Sequence, residues 1–230
     1  MVDCRTIDVN TCRRMIDEQF LSTSTEILPQ RIYDTMDADP AYKTLLACLE
    51  KEHHIKINQF LGKGSYSLVM KGLSDDKSSI AVKIIDTRIF VTEYCDGGDL
   101  LHKIKKTKRV PEPEAKALFR QLIEALIYLQ KLHIVHRDLK CENVFLDHHE
   151  NVKLGDFGFA RYLKPHEKSS TFCGSRAYVA PEILRGIAYT GQTVDIWSAG
   201  VVLYITVTGV MPFDDRNPQK MVDRQLRHRI

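Results

Sequence analysis

Hydrophobic positions change their rhythm partway along the chain. Ile55 to Leu61, Leu68 to Leu73, Ile80 to Ile85 and Ile89 to Tyr94 read as extended runs, and Gly62-Lys63-Gly64-Ser65-Tyr66-Ser67 makes a turn between the first two. Ahead of them, Leu45, Leu46 and Leu49 form a weak helical stripe in Ala41 to Glu50, suited to packing on the next domain. Beyond residue 110 the period lengthens. Pro111-Glu112-Pro113-Glu114 puts proline and acids in a first helical turn, and Ala115, Leu118, Leu122, Leu126 and Leu129 then line one face. Val144-Phe145-Leu146, a polar turn from Asp147 to Asn151, and the pair Val152 and Leu154 predict a β-hairpin. The longest apolar run, Ala199 to Met211, is interrupted by Thr206, Thr208 and Gly209; too short to span a bilayer, it reads as a buried core helix. A strand-rich part and then a helix-rich part predict an α+β protein of two lobes with its site in the cleft. The expected division is an N-terminal extension over 1–50, a small lobe over 51–95 and a large lobe over 96–230.

Composition adds exclusions. With 43% hydrophobic and 27% charged residues, the 230-residue chain can bury a real core. A net charge of +3 gives no argument for nucleic acid or an anionic membrane. Met1-Val2-Asp3-Cys4-Arg5 has no apolar stretch behind it, so no secretory signal is expected and the cytoplasm is the expected location. Six cysteines without a Cys-x-x-Cys pair read as reduced thiols, neither a disulfide framework nor a zinc site, and the nine histidines show no ligand spacing. Lys103, Lys105, Lys106, Lys108 and Arg109 read by default as a solvated helix end; a patch for nuclear import or an acidic partner is the alternative.

The chemistry lies in His136-Arg137-Asp138-Leu139-Lys140-Cys141-Glu142-Asn143 and in Asp156-Phe157-Gly158, at the two ends of the hairpin. The hairpin brings Asp138, Asn143 and Asp156 towards one point. Phosphoryl transfer requires such a set: a carboxylate facing the attacking hydroxyl, and a carboxylate plus an amide holding Mg²⁺ against triphosphate oxygens. Gly62-Lys63-Gly64 alone reads equally as a hairpin turn, and Lys83 alone as an outward charge on an edge strand.

Together these residues resemble the eukaryotic protein kinase family. Gly-Lys-Gly-Ser-Tyr at 62–66, Gly-Gly-Asp-Leu-Leu at 97–101, the 136–143 segment and Thr-Phe-Cys-Gly-Ser at 171–175 are most similar to its testis-specific serine kinase branch. The resemblance implies ATP and Mg²⁺ as cofactors and protein serine or threonine hydroxyls as acceptors, Lys140 and Ser175 being the serine/threonine marks. Asp138 would be the base, Lys140 would neutralise the transferring phosphoryl group, and Lys83 would contact the α- and β-phosphates. Asn143 and Asp156 would be the metal ligands. ATP would be bound by Leu61, Gly62, Gly64, Val69, Ala81, Lys83, Thr92, Glu93, Cys95, Asp99 and Phe145. Thr171 would be a regulatory phosphosite with Arg137 as its partner, and Asp195 would brace the catalytic loop backbone. An upstream activating kinase is then an expected partner. Glu142 and Asp99 imply a mild preference for Arg or Lys ahead of the phosphosite.

Two departures stand out. Only Asp86-Thr87-Arg88 separates the Lys83 strand from the hinge strand, where the family carries its αC helix, with the glutamate that pairs the strand lysine, and another strand; roughly forty residues are absent. The large lobe also stops at Ile230, before the family's last helices. The expected fold is therefore a protein-kinase-like one with a shortened small lobe and a truncated large lobe. A catalytically impaired isoform, or a pseudokinase serving as a nucleotide-binding scaffold, is the alternative function. A direct hairpin through 86–88 with a loosely defined turn is expected, as are loss of cover over Ile80–Ile85 and Ile89–Val91, low turnover and marginal stability.

Overall fold

The computed structural model describes residues 5–7, 40–63, 67–85, 88–164 and 166–228. The chain divides into two compact units, Met1–Tyr94 and Cys95–Ile230.

The first unit contains β1 (Arg5–Ile7), α1 (Pro40–His53), β2 (Lys56–Lys63), β3 (Ser67–Leu73), β4 (Ser79–Ile85) and β5 (Arg88–Glu93). The strands form one antiparallel sheet in the order β1-β5-β4-β3-β2. β4 and β5 make a direct hairpin, with Ile85 opposite Arg88. The turn expected to be loose falls on residues 86–87, outside the described residues. No strand is inserted between β4 and β5, yet the outer edge of β5 is not left open. Arg5–Ile7 pairs with Ile89–Val91 and supplies partners for edge N–H and C=O groups.

Register sorts the side chains by face, because directly opposed residues point the same way. Met70, Val82 and Val91 are opposed across β3, β4 and β5, as are Leu68, Ile84 and Ile89. On this face Leu49 of α1 is fully buried in a cluster with Ile55, Ile80, Val82 and Ile89. His54, at φ 54°, turns the chain out of α1, and the Ile55 N–H closes on the Leu49 carbonyl at 2.9 Å. The cover expected to be lost is therefore in place: α1 provides it. A three-leucine stripe shows that a helix has an apolar side, not which face of which sheet it will shield. Leu49→Ala should lower the stability of this unit by about 2–5 kcal/mol, through lost burial and the cavity left behind. Hydrogen exchange at the Ile80–Ile84 amides measures this, and unchanged protection would show that α1 is not the cover.

Cys48, also on α1, is disulfide-bonded, which corrects the reading of all six cysteines as reduced thiols. Cys95, Cys141 and Cys173 form no disulfide. Pairing depends on which cysteines the fold brings together, and spacing along the chain does not encode that.

The second unit begins with α2 (Leu100–Thr107), capped by Asp99, whose Oδ1 accepts from the His102 N–H at 2.7 Å. Next comes α3 (Glu112–Lys131), which buries Ala115, Leu118, Leu122, Leu126 and Leu129, the face its periodicity predicts. β6 (Ile134–Val135) pairs with β9 (Arg161–Tyr162), and between them β7 (Val144–Leu146) and β8 (Val152–Leu154) form the hairpin. At its turn Asp147 accepts from the His149 and Asn151 N–H groups and the Asn151 amide. Those bonds, Asn151's side chain foremost, hold the Asp147 carboxyl down at about 2. β10 (Lys168–Ser169), α4 (Pro181–Leu184), β11 (Tyr189–Thr190), α5 (Gly191–Thr208) and α6 (Pro218–His228) complete the unit. α5 is the buried helix, but it ends earlier than the apolar run. Gly209 at φ 76° stops it, and Val210 and Met211 are exposed. Among the described residues no helix is long and apolar enough to cross a membrane.

Candidate active site

The second unit gathers its polar groups on the loop between β6 and β7. Arg137 sits at φ 66°, a left-handed conformation that an arginine keeps only under external restraint. Asp195 of α5 supplies the restraint. Its two carboxylate oxygens accept the backbone N–H groups of His136, at 2.8 Å, and Arg137, at 2.9 Å. Burial pushes the Asp195 carboxyl above the usual range, while these two donors draw it back. Gly174 closes over the same turn: a Cβ there would lie 2.5 Å from the Arg137 carbonyl oxygen, and its φ is 97°. Only glycine fits.

His136 is fully buried, with Nε2 at 2.9 Å from the Gly155 carbonyl. A carbonyl can only accept, so Nε2 carries the proton and Nδ1 is left to accept the Asp138 N–H at 3.4 Å. The residue before Asp156 is thereby tied to the residue two before Asp138. An Asn143 carbonyl to Gly155 N–H bond of 2.9 Å adds a second tie.

Asp138 is buried, and all its carboxylate partners are donors. Oδ1 accepts from the Ser175 N–H at 2.8 Å and the Ser175 hydroxyl at 2.9 Å. Oδ2 accepts from Lys140 Nζ at 2.9 Å and from the Asn143 amide at 3.3 Å. Lys140 also reaches the Ser175 Oγ at 3.0 Å. These contacts fix the carboxylate's rotamer and aim only donors at its charge.

The Asn143 amide nitrogen is spent on Asp138, including a 2.8 Å bond to its carbonyl. The amide oxygen is thus the atom left to face a cation. Asp156, at φ 54°, accepts the Gly158 N–H at 3.4 Å and presents a second hard oxygen donor. A carboxylate and an amide oxygen suit Mg²⁺, which keeps several waters and takes few protein ligands.

The residues expected around ATP divide between the units. In the first, Val69, Lys83 and Phe90 are opposed across the sheet, as are Lys71, Ala81 and Thr92, so Val69, Ala81, Lys83 and Thr92 share the face opposite α1. The Thr92 hydroxyl donates to the Ala81 carbonyl at 3.5 Å. Leu61 and Gly62 lie on β2, and Glu93 ends β5; Gly64 falls outside the described residues. In the second unit Asp99 bridges to Phe145, and Cys95 precedes both. Asp99 spends one carboxylate oxygen on the α2 cap.

Thr171 is exposed, and its carbonyl accepts the Tyr189 hydroxyl at 3.0 Å. Arg137 is not bonded to it. The Arg137 Nε donates to the Phe159 carbonyl at 2.7 Å, and its Nη1 is buried without a hydrogen-bond partner. Sequence reasoning overlooked two contacts. Tyr178 donates to Glu142 at 3.3 Å, and Gln225 of α6, almost wholly buried, donates to the Val179 carbonyl at 3.2 Å. A glutamine in a polar helix gives no signal for such a role.

The Asp138 carboxylate is thus buried, paired with Lys140, and carried on a loop that Asp195 ties to a buried helix. The sequence matches the protein kinase domain family over residues 86–230, and the chain belongs to that family. It is 40% identical to the mouse testis-specific serine/threonine-protein kinase 2, over 80% of this chain and 64% of the relative. It is 39% identical to the mouse and human testis-specific serine/threonine-protein kinases 1, over 74% of this chain and 59% of each relative. The chain thus matches less than two thirds of these relatives' length.

Proposed function

We propose that this protein is a serine/threonine protein kinase that uses ATP and Mg²⁺. The single observation that carries the reading is the Asp138 carboxylate, buried and held by Ser175, Lys140 and Asn143. In this reading Asp138 aligns the acceptor hydroxyl and receives its proton as the oxygen bonds to the γ-phosphorus and ADP departs. Lys140 offsets charge on the phosphoryl oxygens in flight. Asn143 and Asp156 would hold Mg²⁺, which when bound neutralises triphosphate charge. Lys83, on the same sheet face as Val69 and Ala81, would meet the phosphates while those two cover the adenine. Thr171 is exposed for phosphorylation, and the buried, unpartnered Nη1 of Arg137 is a donor suited to phosphate. Incubation of the chain with Mg-ATP and a mixed-hydroxyl peptide library, read by mass spectrometry, tests this. Phosphate on serine and threonine is expected, with Thr171 modified after treatment with an activating kinase. Transfer to tyrosine alone, or no transfer, would overturn the reading, and an unmodified Thr171 would remove its regulatory role.

A further inference from the structure

Among the described residues, one set of three potential metal-ligand atoms converges, and it belongs to the first unit, on the last turns of α1. The Cys48 Sγ, a Glu52 carboxylate oxygen and a His53 ring nitrogen all lie within 4.8 Å of one another. Cys48 and His53 are half-buried, and Glu52 is exposed. Helix geometry makes the approach. Residues four apart stack on one side, so Glu52 stands over Cys48, and His53 follows as the last residue of the helix.

The frame around the three groups is fixed at both ends. Cys48 packs against the cluster in which its neighbour Leu49 is fully buried. Just past His53, the Ile55 N–H closes on the Leu49 carbonyl at 2.9 Å. The side chains of Glu52 and His53 make no hydrogen bond or ion pair among the described residues, whereas the neighbouring His54 lies 3.8 Å from Asp75.

Ligand chemistry selects the occupant. A thiolate and a carboxylate carry two negative charges and a neutral imidazole none, so a divalent cation is neutralised there. Sulfur, nitrogen and oxygen donors together suit Zn²⁺, whereas Mg²⁺ and Ca²⁺ take oxygen alone. Bonds of about 2.0–2.3 Å around a tetrahedral ion set ligand atoms about 3.3–3.8 Å apart, so closing the set takes about 1 Å of side-chain movement. Exposed Glu52 is free to supply it. The negative pole of the helix dipole, at this end of α1, favours a cation further.

We propose that reduction of the Cys48 disulfide opens a Zn²⁺ site formed by Cys48, Glu52 and His53, with the fourth position left to water. Disulfide and metal are then alternative states of one sulfur atom. A dithiol breaks the S–S bond by exchange, supplies the two electrons and becomes a disulfide itself. The Cys48 thiol gives its proton to water as its sulfur bonds Zn²⁺. The ion clamps the last turn of α1, and with it the Leu49 cover over the sheet. The proposal stands apart from the kinase reading. Spacing alone argued against zinc because it looked for a Cys-x-x-Cys pair, and this set draws on a carboxylate instead.

The test titrates the whole chain with Zn²⁺, and with Co²⁺ as a spectroscopic probe, after oxidation and after reduction by a phosphine. The reduced chain should bind one equivalent and show a sulfur-to-Co²⁺ charge-transfer band; the oxidised chain should show neither. In the reduced protein Glu52→Gln and His53→Gln should each weaken Zn²⁺ binding by about 10-fold or more, since groups that only orient a metal ligand already contribute that much. Cys48→Ser should abolish the band, and His54→Gln, outside the set, should leave affinity unchanged. At ten times Kd, Zn²⁺ should slow hydrogen exchange of the Ile55 amide about 10-fold. Equal binding by the oxidised chain, a band that survives in Cys48→Ser, affinity unchanged in Glu52→Gln and His53→Gln, or Ile55 exchange indifferent to Zn²⁺ would each overturn the proposal. Glu52→Gln lies at an exposed position, so its result does not depend on the fold surviving a buried change.

Discussion

Asp138→Asn should lower the rate of phosphate transfer by about 10²- to 10⁴-fold, the usual contribution of a positioned general base. The effect comes from the geometry around the carboxylate. Both oxygens receive donors, Ser175 at Oδ1 and Lys140 with Asn143 at Oδ2. An amide has one oxygen and one NH₂, so one side of the residue would present hydrogens to donors. It would also lose the negative charge that holds Lys140 in place. Single-turnover kinetics separates this loss from ATP binding, which should stay within a few-fold because Asn143 and Asp156, the residues proposed to hold Mg²⁺, are unchanged. Transfer undiminished in Asp138→Asn would show that another group receives the proton.

Asp195→Ala should destabilise the second unit by about 2–6 kcal/mol. Two backbone N–H groups, those of buried His136 and half-buried Arg137, would lose their acceptor, at about 1–3 kcal/mol each. Against a net stability of about 5–15 kcal/mol, a loss of that size is severe. Trp197 is the single tryptophan of the chain and lies two residues along α5. Its fluorescence during denaturant unfolding therefore reports on this helix directly. Without the brace, Arg137 has little to hold it at φ 66°, so transfer should fall in parallel even where the protein stays folded. A stability change below about 1 kcal/mol would mean that water or a neighbouring group replaces the carboxylate, and that Asp195 is not the support assigned to it.

Much of the fold was legible because its causes are local. The α3 stripe, the four long strands and the β7–β8 hairpin arise from periods of 3.6 and 2 and from turn chemistry within a few residues. Asp138, Asn143 and Asp156 could be proposed as a set from the sequence because the hairpin between them is itself a local structure. The end of α5 was misjudged because apolar character runs on through Val210 and Met211, whereas the backbone obeys Gly209.

Other features had no local cause to read. The strand Arg5–Ile7 is three residues long, and what makes it a strand is the open edge of β5. Leu49 belongs to a modest stripe, and only the sheet it covers makes it a fully buried residue. The Cys48 disulfide depends on proximity. The Asp195 brace spans 59 residues to His136, and resemblance to a known family supplied it where pattern could not. Sequence by itself determined the repeating elements and the chemical groups they carry, since backbone periodicity and side-chain type act over a few residues. Tertiary structure alone decided which faces are covered and which charges stand together, since burial and Coulomb energy depend on distance in space and not along the chain.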